Sequence, residues 1–307
     1  MDTKQHKQHI VSIALLFVVA TIWGSGFIGT QMALDAKLDS SFIMFVRFTI
    51  ATFIIGTVFF KDIKKNLRPQ HLKGGLIIGL FLFLAFFIQT VGLKYTTPAN
   101  NAFITASNVV MVPFLWWVVS KKKPKNKIFI SSALCLIGIG VLSLNFVNGF
   151  SFSVGDLLTL GCAFLFACQI VATGILAASM DARVLVFLQF TVSAVLSFLV
   201  FMFTNRDFTA FASPKGMMAV IYLGVFSTCI CYFLQTVAQK NVESSKTAMI
   251  LSTEALFGTF FSVLLGYDKL SANMVAGGLI IIVSILMAEV DFTKSDKAKK
   301  IIKEGQG

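Results

Sequence analysis

The sequence predicts an all-α integral membrane protein whose ten transmembrane helices form two inverted five-helix repeats. Three observations predict it: apolar runs long enough to cross a bilayer recur along the chain, lysine and arginine gather on alternate connections, and the second half repeats the first.

Of the 307 residues, 56% are hydrophobic and 13% charged, with a mean hydropathy of +0.84. A soluble domain carries roughly 25% charged residues. The formal charge of +12 does not indicate nucleic acid, because the basic residues sit in short clusters between apolar runs, as in Lys121-Lys122-Lys123 and the tail from Lys294 to Lys303. Such clusters are topology signals, and no nucleic-acid partner is expected. Cys135, Cys162, Cys168, Cys229 and Cys231 all fall inside apolar runs, so neither a metal site nor a disulfide framework is expected.

A helix rising ~1.5 Å per residue needs ~17 to 25 apolar residues to cross ~30 Å of hydrocarbon. The runs are Ile10–Met32, Phe42–Phe60, Gly74–Leu93, Pro98–Val119, Ile128–Leu144, Gly155–Ala178, Val184–Phe203, Gly216–Val237, Thr247–Leu265 and Ala272–Val290. The first exceeds the ~7 to 15 residues of a signal-peptide core and reads as an uncleaved helix. Pro98 opens the fourth run, where its missing N–H is harmless, while Pro113 inside it is expected to kink the helix. Gly24 and Gly26, Gly138 and Gly140, and Gly277 and Gly278 permit close helix approach; small residues on the fifth and tenth runs offer a dimer interface, so monomer and homodimer are both open.

One set of alternate connections and tails holds 20 basic residues and the other 5, with Arg47 inside a span. The positive-inside rule then places both termini in the cytoplasm and the protein, multi-pass, in a bacterial cytoplasmic (inner) membrane. The chain divides into a cytoplasmic tail (1–9), a first five-helix repeat (10–144), a linker (145–154), a second repeat (155–290) and a basic cytoplasmic tail (291–307).

The repeat is legible directly. Residues 87–104, FIQTVGLKYTTPANNAFI, and 233–250, FLQTVAQKNVESSKTAMI, match at seven of 18 positions without a gap. FVRFTIAT from Phe45 pairs with FLQFTVSA from Phe187 at nearly the same offset. With five spans per half, the second half must enter the membrane opposite to the first. Inverted repeats supply two conformations that exchange roles, the physical basis of alternating access around a midplane site.

These residues resemble the EamA-type drug/metabolite transporters over residues 10–290. The likeness rests on Trp23-Gly24-Ser25-Gly26-Phe27, on Arg47-Phe48 with Ala51, on Gln89-Thr90-Val91-Gly92-Leu93 running into Thr97-Pro98-Ala99-Asn100, and on Ser252-Thr253-Glu254. The resemblance implies secondary transport of small organic metabolites. It departs where Ala255 replaces a proline common after the glutamate, which removes that reason for a kink in the ninth span, and where Gly266-Tyr267-Asp268 replaces an acidic Gly-Glu ending.

Glu254 lies near the middle of the ninth span, where an ionised carboxylate costs several kcal/mol unless paired or hydrated. It is the candidate for proton coupling or for contact with a cationic substrate group, against a packing role as a neutral, hydrogen-bonded carboxyl. The repeat pairs Asn108 with Glu254, Asn101 with Thr247 and Gln89 with Gln235; Asn101, Thr105 and Asn108 share one helical stripe that offers donors and acceptors to a polar metabolite, or to a neighbouring helix. Arg47, six residues into the second run, reads first as a snorkelling side chain and second as a ligand for an anionic group. Trp23 and Phe27, one turn apart, are packing aromatics first and cavity aromatics second.

No HExxH, P-loop, GxGxxG or paired nucleophile and histidine appears, so an enzyme is not expected and no cofactor is called for. The reading is export of amino acids or related metabolites by alternating access, with lipid and a small-molecule substrate as partners and a proton as candidate coupling ion. Proton-coupled efflux of drugs or organic cations, and a channel-like facilitator, are the alternatives.

Overall fold

The computed structural model describes residues 3–93, 95–96, 98–143, 153–204, 213–266 and 269–289. The tail 291–307 and all of the linker except Ser153 and Val154 lie outside them. The described residues are helical without a strand: α1 (Thr3–Asp35), α2 (Ser40–Val58), α3 (Phe60–Asn66), α4 (Pro69–Leu93), α5 (Pro98–Ala106), α6 (Asn108–Ser120), α7 (Asn126–Ser143), α8 (Val154–Ala177), α9 (Ala182–Thr204), α10 (Pro214–Tyr222), a π-helical segment (Leu223–Ile230), α11 (Cys231–Ala238), α12 (Ser244–Leu251), α13 (Glu254–Leu264) and α14 (Ala272–Glu289). Among them eight stretches are long and apolar enough to cross a membrane, and two apolar helices, Asn126–Leu142 and Ala272–Ala288, are shorter. The expectation of ten full spans is met for eight.

Helix starts are written in the sequence. The Asp39 carboxylate accepts from the Ser41 N–H at 2.8 Å to begin α2. Ser153 and Asp156 form a capping box at α8, each side chain binding the other's backbone N–H. Ser213 caps α10 ahead of Pro214.

Loop contacts define two ends. At one, which carries the lysine-rich connections, the His9 ring meets the Asn241 carbonyl and Asn66 donates to Asp181. At the other, Thr96 donates to Asp156, and the Leu38 side chain lies against Gly216.

The interior is apolar and so is the outside. Phe42, Phe48, Phe190 and Phe201 are fully buried, whereas Phe53 and Phe203 are 69% and 83% exposed among many other outward aliphatics. Exposed apolar surface on this scale requires a lipid environment. Helix α1 runs centrally against α10, the π-helical segment and α11 to α13, α2 and α4 pack on α9, and α4 also lies along α8. Glycines set the tightest approaches. A Cβ on Gly277 would stand 2.5 Å from the Leu142 N and 2.6 Å from the Gly138 O, and one on Gly138 would stand 2.9 Å from Ile281. Gly138 and Gly277 thus seat α7 and α14 directly on each other within one chain.

Two helices are broken at matched positions of the repeat. Between α5 and α6, Ser107 N–H bonds back only three residues to Ile104 O and its hydroxyl donates to the same carbonyl at 2.6 Å. Between α12 and α13, Thr253 repeats both bonds on Ile250 O, its hydroxyl also at 2.6 Å. Hydroxyls that bind backbone carbonyls in this way offer the chain an alternative to the regular ladder. The fourth run is interrupted at Ser107, and α6 continues through Pro113. The second break forms with Ala255 in place of the proline.

Candidate functional site

The broken helices end against a cavity of about 220 Å³. Its lining includes the sequence candidates Trp23, Arg47, Gln89, Asn101, Thr105, Asn108 and Glu254. Gln235 and Thr247 are absent from it: both are fully buried, on the side towards the lysine-rich loops. The cavity instead extends to Leu34 and Ser40, beside the 36–39 loop.

Most of the polar side chains around it are held by identifiable partners. Arg47 is 6% exposed; its Nε donates to Thr228 Oγ1 at 2.8 Å and its guanidinium lies 4.5 Å from the Phe86 ring centroid. It therefore does not snorkel to headgroups as the sequence suggested, because Thr228 and the Phe86 face hold the charge inside the bundle. No carboxylate pairs with it among the described residues.

Thr228 is presented by the π-helical segment. The neighbouring Ser227 O accepts from Trp23 Nε1 at 2.8 Å, and the Trp23 ring lies 5.1 Å from that of Tyr232. Trp23 thus borders the cavity and also packs against the apolar core. The Phe27 side chain lies outside the described residues.

On the first repeat, Gln89 Nε2 donates to Thr105 Oγ1 at 3.1 Å, and Asn101 Nδ2 donates to Thr159 Oγ1 at 2.9 Å. Asn108 and Glu254 stand at the first positions of α6 and α13, so the positive end of each half-helix dipole lies beside the cavity. The Glu254 carboxylate has no hydrogen-bond or ion-pair partner among the described residues. Gly24 fixes its depth: a Cβ there would stand 2.9 Å from Glu254 O and 2.7 Å from both Gly258 N and Phe257 Cβ, so α1 lies directly on the first turn of α13.

Sequence reasoning missed Tyr232, Phe86, Phe166, Gln169 and Ser227, which also line the cavity. Tyr232 immediately precedes the repeated block at Phe233. The aromatic pair Phe86 and Phe166 carried no signal in a chain with 33 phenylalanines. The cavity can surround a small polar molecule with one cation, one carboxylate, amides and aromatic faces.

The EamA-like transporter family profile matches residues 10–144 and again 153–289. An uncharacterized transporter of Archaeoglobus fulgidus is 30% identical over 276 residues, covering 90% of this chain and 84% of its own length. The uncharacterized transporter YyaM of Bacillus subtilis is 25% identical, covering 78% and 80%. A solved crystal structure superposes with a TM-score of 0.78 at 17% identity, covering 91% of this chain and 96% of that one, a likeness of fold. Two matched helical halves, apolar outer surfaces and these relatives agree: the chain is a multi-pass membrane protein and belongs to the EamA-like transporter family, whose members are transporters and not enzymes.

Proposed function

We propose that the protein is a secondary carrier for small zwitterionic metabolites, amino acids or close relatives, that works outward by alternating access between two inverted five-helix repeats. In this reading α7 and α14 complete ten crossings, and the lysine-rich end and both termini face the cytoplasm of a bacterial inner membrane. The cavity then faces outward.

The observation that carries the substrate class is the pair of unpartnered charges, Arg47 and Glu254, on one small cavity. Opposite charges that neutralise neither each other nor a neighbour suit a ligand bearing both signs, its carboxylate on the guanidinium and its ammonium on Glu254. A volume of about 220 Å³ lies below the ~300 to 1,000 Å³ of drug-sized pockets. Asn101, Thr105, Asn108 and Gln89 supply the remaining donors and acceptors.

The aromatic walls favour a second reading, proton-coupled efflux of organic cations, with Trp23, Tyr232, Phe86 and Phe166 around Glu254. An open channel is disfavoured, because the cavity ends at Gln169 and Ile170 with packed residues beyond.

The test is counterflow in proteoliposomes with labelled amino acids and organic cations, for the native chain and Glu254→Gln. The carrier reading expects saturable amino-acid counterflow that in the variant loses its response to a pH gradient. Counterflow of cations alone, abolished in the variant, selects the second reading. Ion leak without counterflow of any compound overturns both.

A further inference from the structure

A buried polar atom without a hydrogen-bond partner is costly and calls for a reason. Below the cavity floor three residues each leave one such atom: Gln189 Nε2, Gln235 Oε1 and Thr247 Oγ1. Serine hydroxyls and the His71 ring account for the others among the described residues. The repeat gives these three a common character. Aligning FVRFTIAT with FLQFTVSA sets Gln189 opposite Arg47, and aligning residues 87–104 with 233–250 sets Gln235 opposite Gln89 and Thr247 opposite Asn101. All three counterparts line the open cavity.

The buried three belong to a plug of neutral amides. Gln169 Nε2 donates to Gln189 Oε1 at 3.2 Å, Gln235 Nε2 to Gln239 Oε1 at 3.1 Å, and Gln239 Nε2 to Ile170 O at 2.8 Å. Gln169 and Ile170 face the cavity from above, so the plug is its floor. At Gly174 the helix α8 meets the Ser244 hydroxyl with no room for a Cβ, which closes the floor on a further side. Amide-to-amide bonds are exchanged for bonds to water at little net cost, unlike an apolar seal or an ion pair. Unpartnered atoms are then groups that await water or ligand in the other state.

We propose that Gln189, Gln235 and Thr247 form a second, inner half-site for the transported molecule, closed in this structure and opened towards the lysine-rich end when the two repeats exchange roles. This rests on the carrier reading above. The inner half-site differs from the outer one in one respect: a neutral carboxamide, Gln189, stands where the outer offers the Arg47 guanidinium. A carboxylate-bearing ligand therefore meets a cation from one side of the membrane and only neutral donors from the other.

The test needs no substrate. Thr247→Cys and Asn101→Cys are introduced singly into the native chain and labelled with a membrane-impermeant trimethylammonium methanethiosulfonate, from each side of oriented vesicles, with the reactivity of the five native cysteines subtracted. Thr247→Cys is expected to react from the lysine-rich end only and Asn101→Cys from the opposite end only. Gln189→Arg places an uncompensated charge in the closed plug, so it shifts the population towards the open plug. It is expected to raise the Thr247→Cys rate and lower the Asn101→Cys rate by ~10-fold each. Should the Gln189→Arg chain aggregate, Gln235→Cys in the native background gives the same one-sided readout. If Thr247→Cys and Gln235→Cys stay silent from both sides while Asn101→Cys reacts, the plug is static core and the proposal fails. Counterflow with a silent Thr247→Cys defeats this proposal alone, and one-sided labelling without counterflow defeats only the substrate class.

Discussion

Replacing Arg47 with methionine separates what the guanidinium does for the fold from what it does for the ligand. In the fold it makes one charge-assisted hydrogen bond, 2.8 Å to Thr228, and lies 4.5 Å from the Phe86 centroid, contributions of about 1.5–3 and 1–2 kcal/mol. Against these stands the desolvation of a cation without a carboxylate partner among the described residues, several kcal/mol. The two sides nearly cancel, and methionine fills a similar volume. Arg47→Met is therefore expected to keep its thermal midpoint in detergent within a few degrees of the parent. For a bound carboxylate the loss of one charge-assisted bond is ~1.5–3 kcal/mol, which raises its half-saturation concentration in counterflow ~10- to 150-fold. Arg47→Lys, which keeps the charge but not the planar fork, should fall between. Organic cations should be unaffected or improved. An amino-acid half-saturation concentration unchanged in Arg47→Met, with the protein intact, refutes the assignment.

Three further outcomes follow from packing and charge. Gly24→Ala drives a methyl group to 2.7 Å from Gly258 N and should lower the midpoint by roughly 2–10 °C, with counterflow reduced because Glu254 moves with its helix turn. Gly277→Ala, at 2.5 Å from Leu142 N, should destabilise comparably while light scattering shows an unchanged oligomeric state, since that glycine serves the α7–α14 contact within one chain. Asp181, whose carboxyl is held down to about 2 chiefly by its bond from Arg183, contributes stability that is full above the ordinary value near 4 and is lost as pH falls towards about 2. Asp181→Asn should abolish that pH dependence of the melting midpoint, at a cost near neutral pH of ~1 kcal/mol because the pair is partly exposed.

The helical class, the tandem repeat and the run positions were legible because lipid imposes length and apolarity on every crossing helix, and duplication leaves gap-free matches such as residues 87–104 on 233–250. Glu254 was legible for the same reason: a carboxylate deep in an apolar run has few roles. What escaped reading depends on side-chain direction and backbone detail. Arg47 was assigned to the headgroups because its depth alone permits snorkelling, whereas its course is decided by Thr228, 181 positions away. The π-helical turns at Leu223–Ile230 have no sequence mark of their own, and the break at Thr253 falls where no proline marks it. The repeat pairs Gln235 and Thr247 with the cavity residues Gln89 and Asn101, yet both are fully buried away from the cavity, because sequence equivalence does not fix which way a side chain faces.

Three neighbouring residues of α1 touch both charged regions of the cavity. Gly24 rests on the Glu254 carbonyl, while Trp23 and Gly26 rest on Ser227, whose neighbour Thr228 holds Arg47. One helix turn is thus a common bearing for a cation and an anion that never meet. Displacing either one therefore loads the other through this one turn, so a substitution there is expected to disturb both regions of the cavity together.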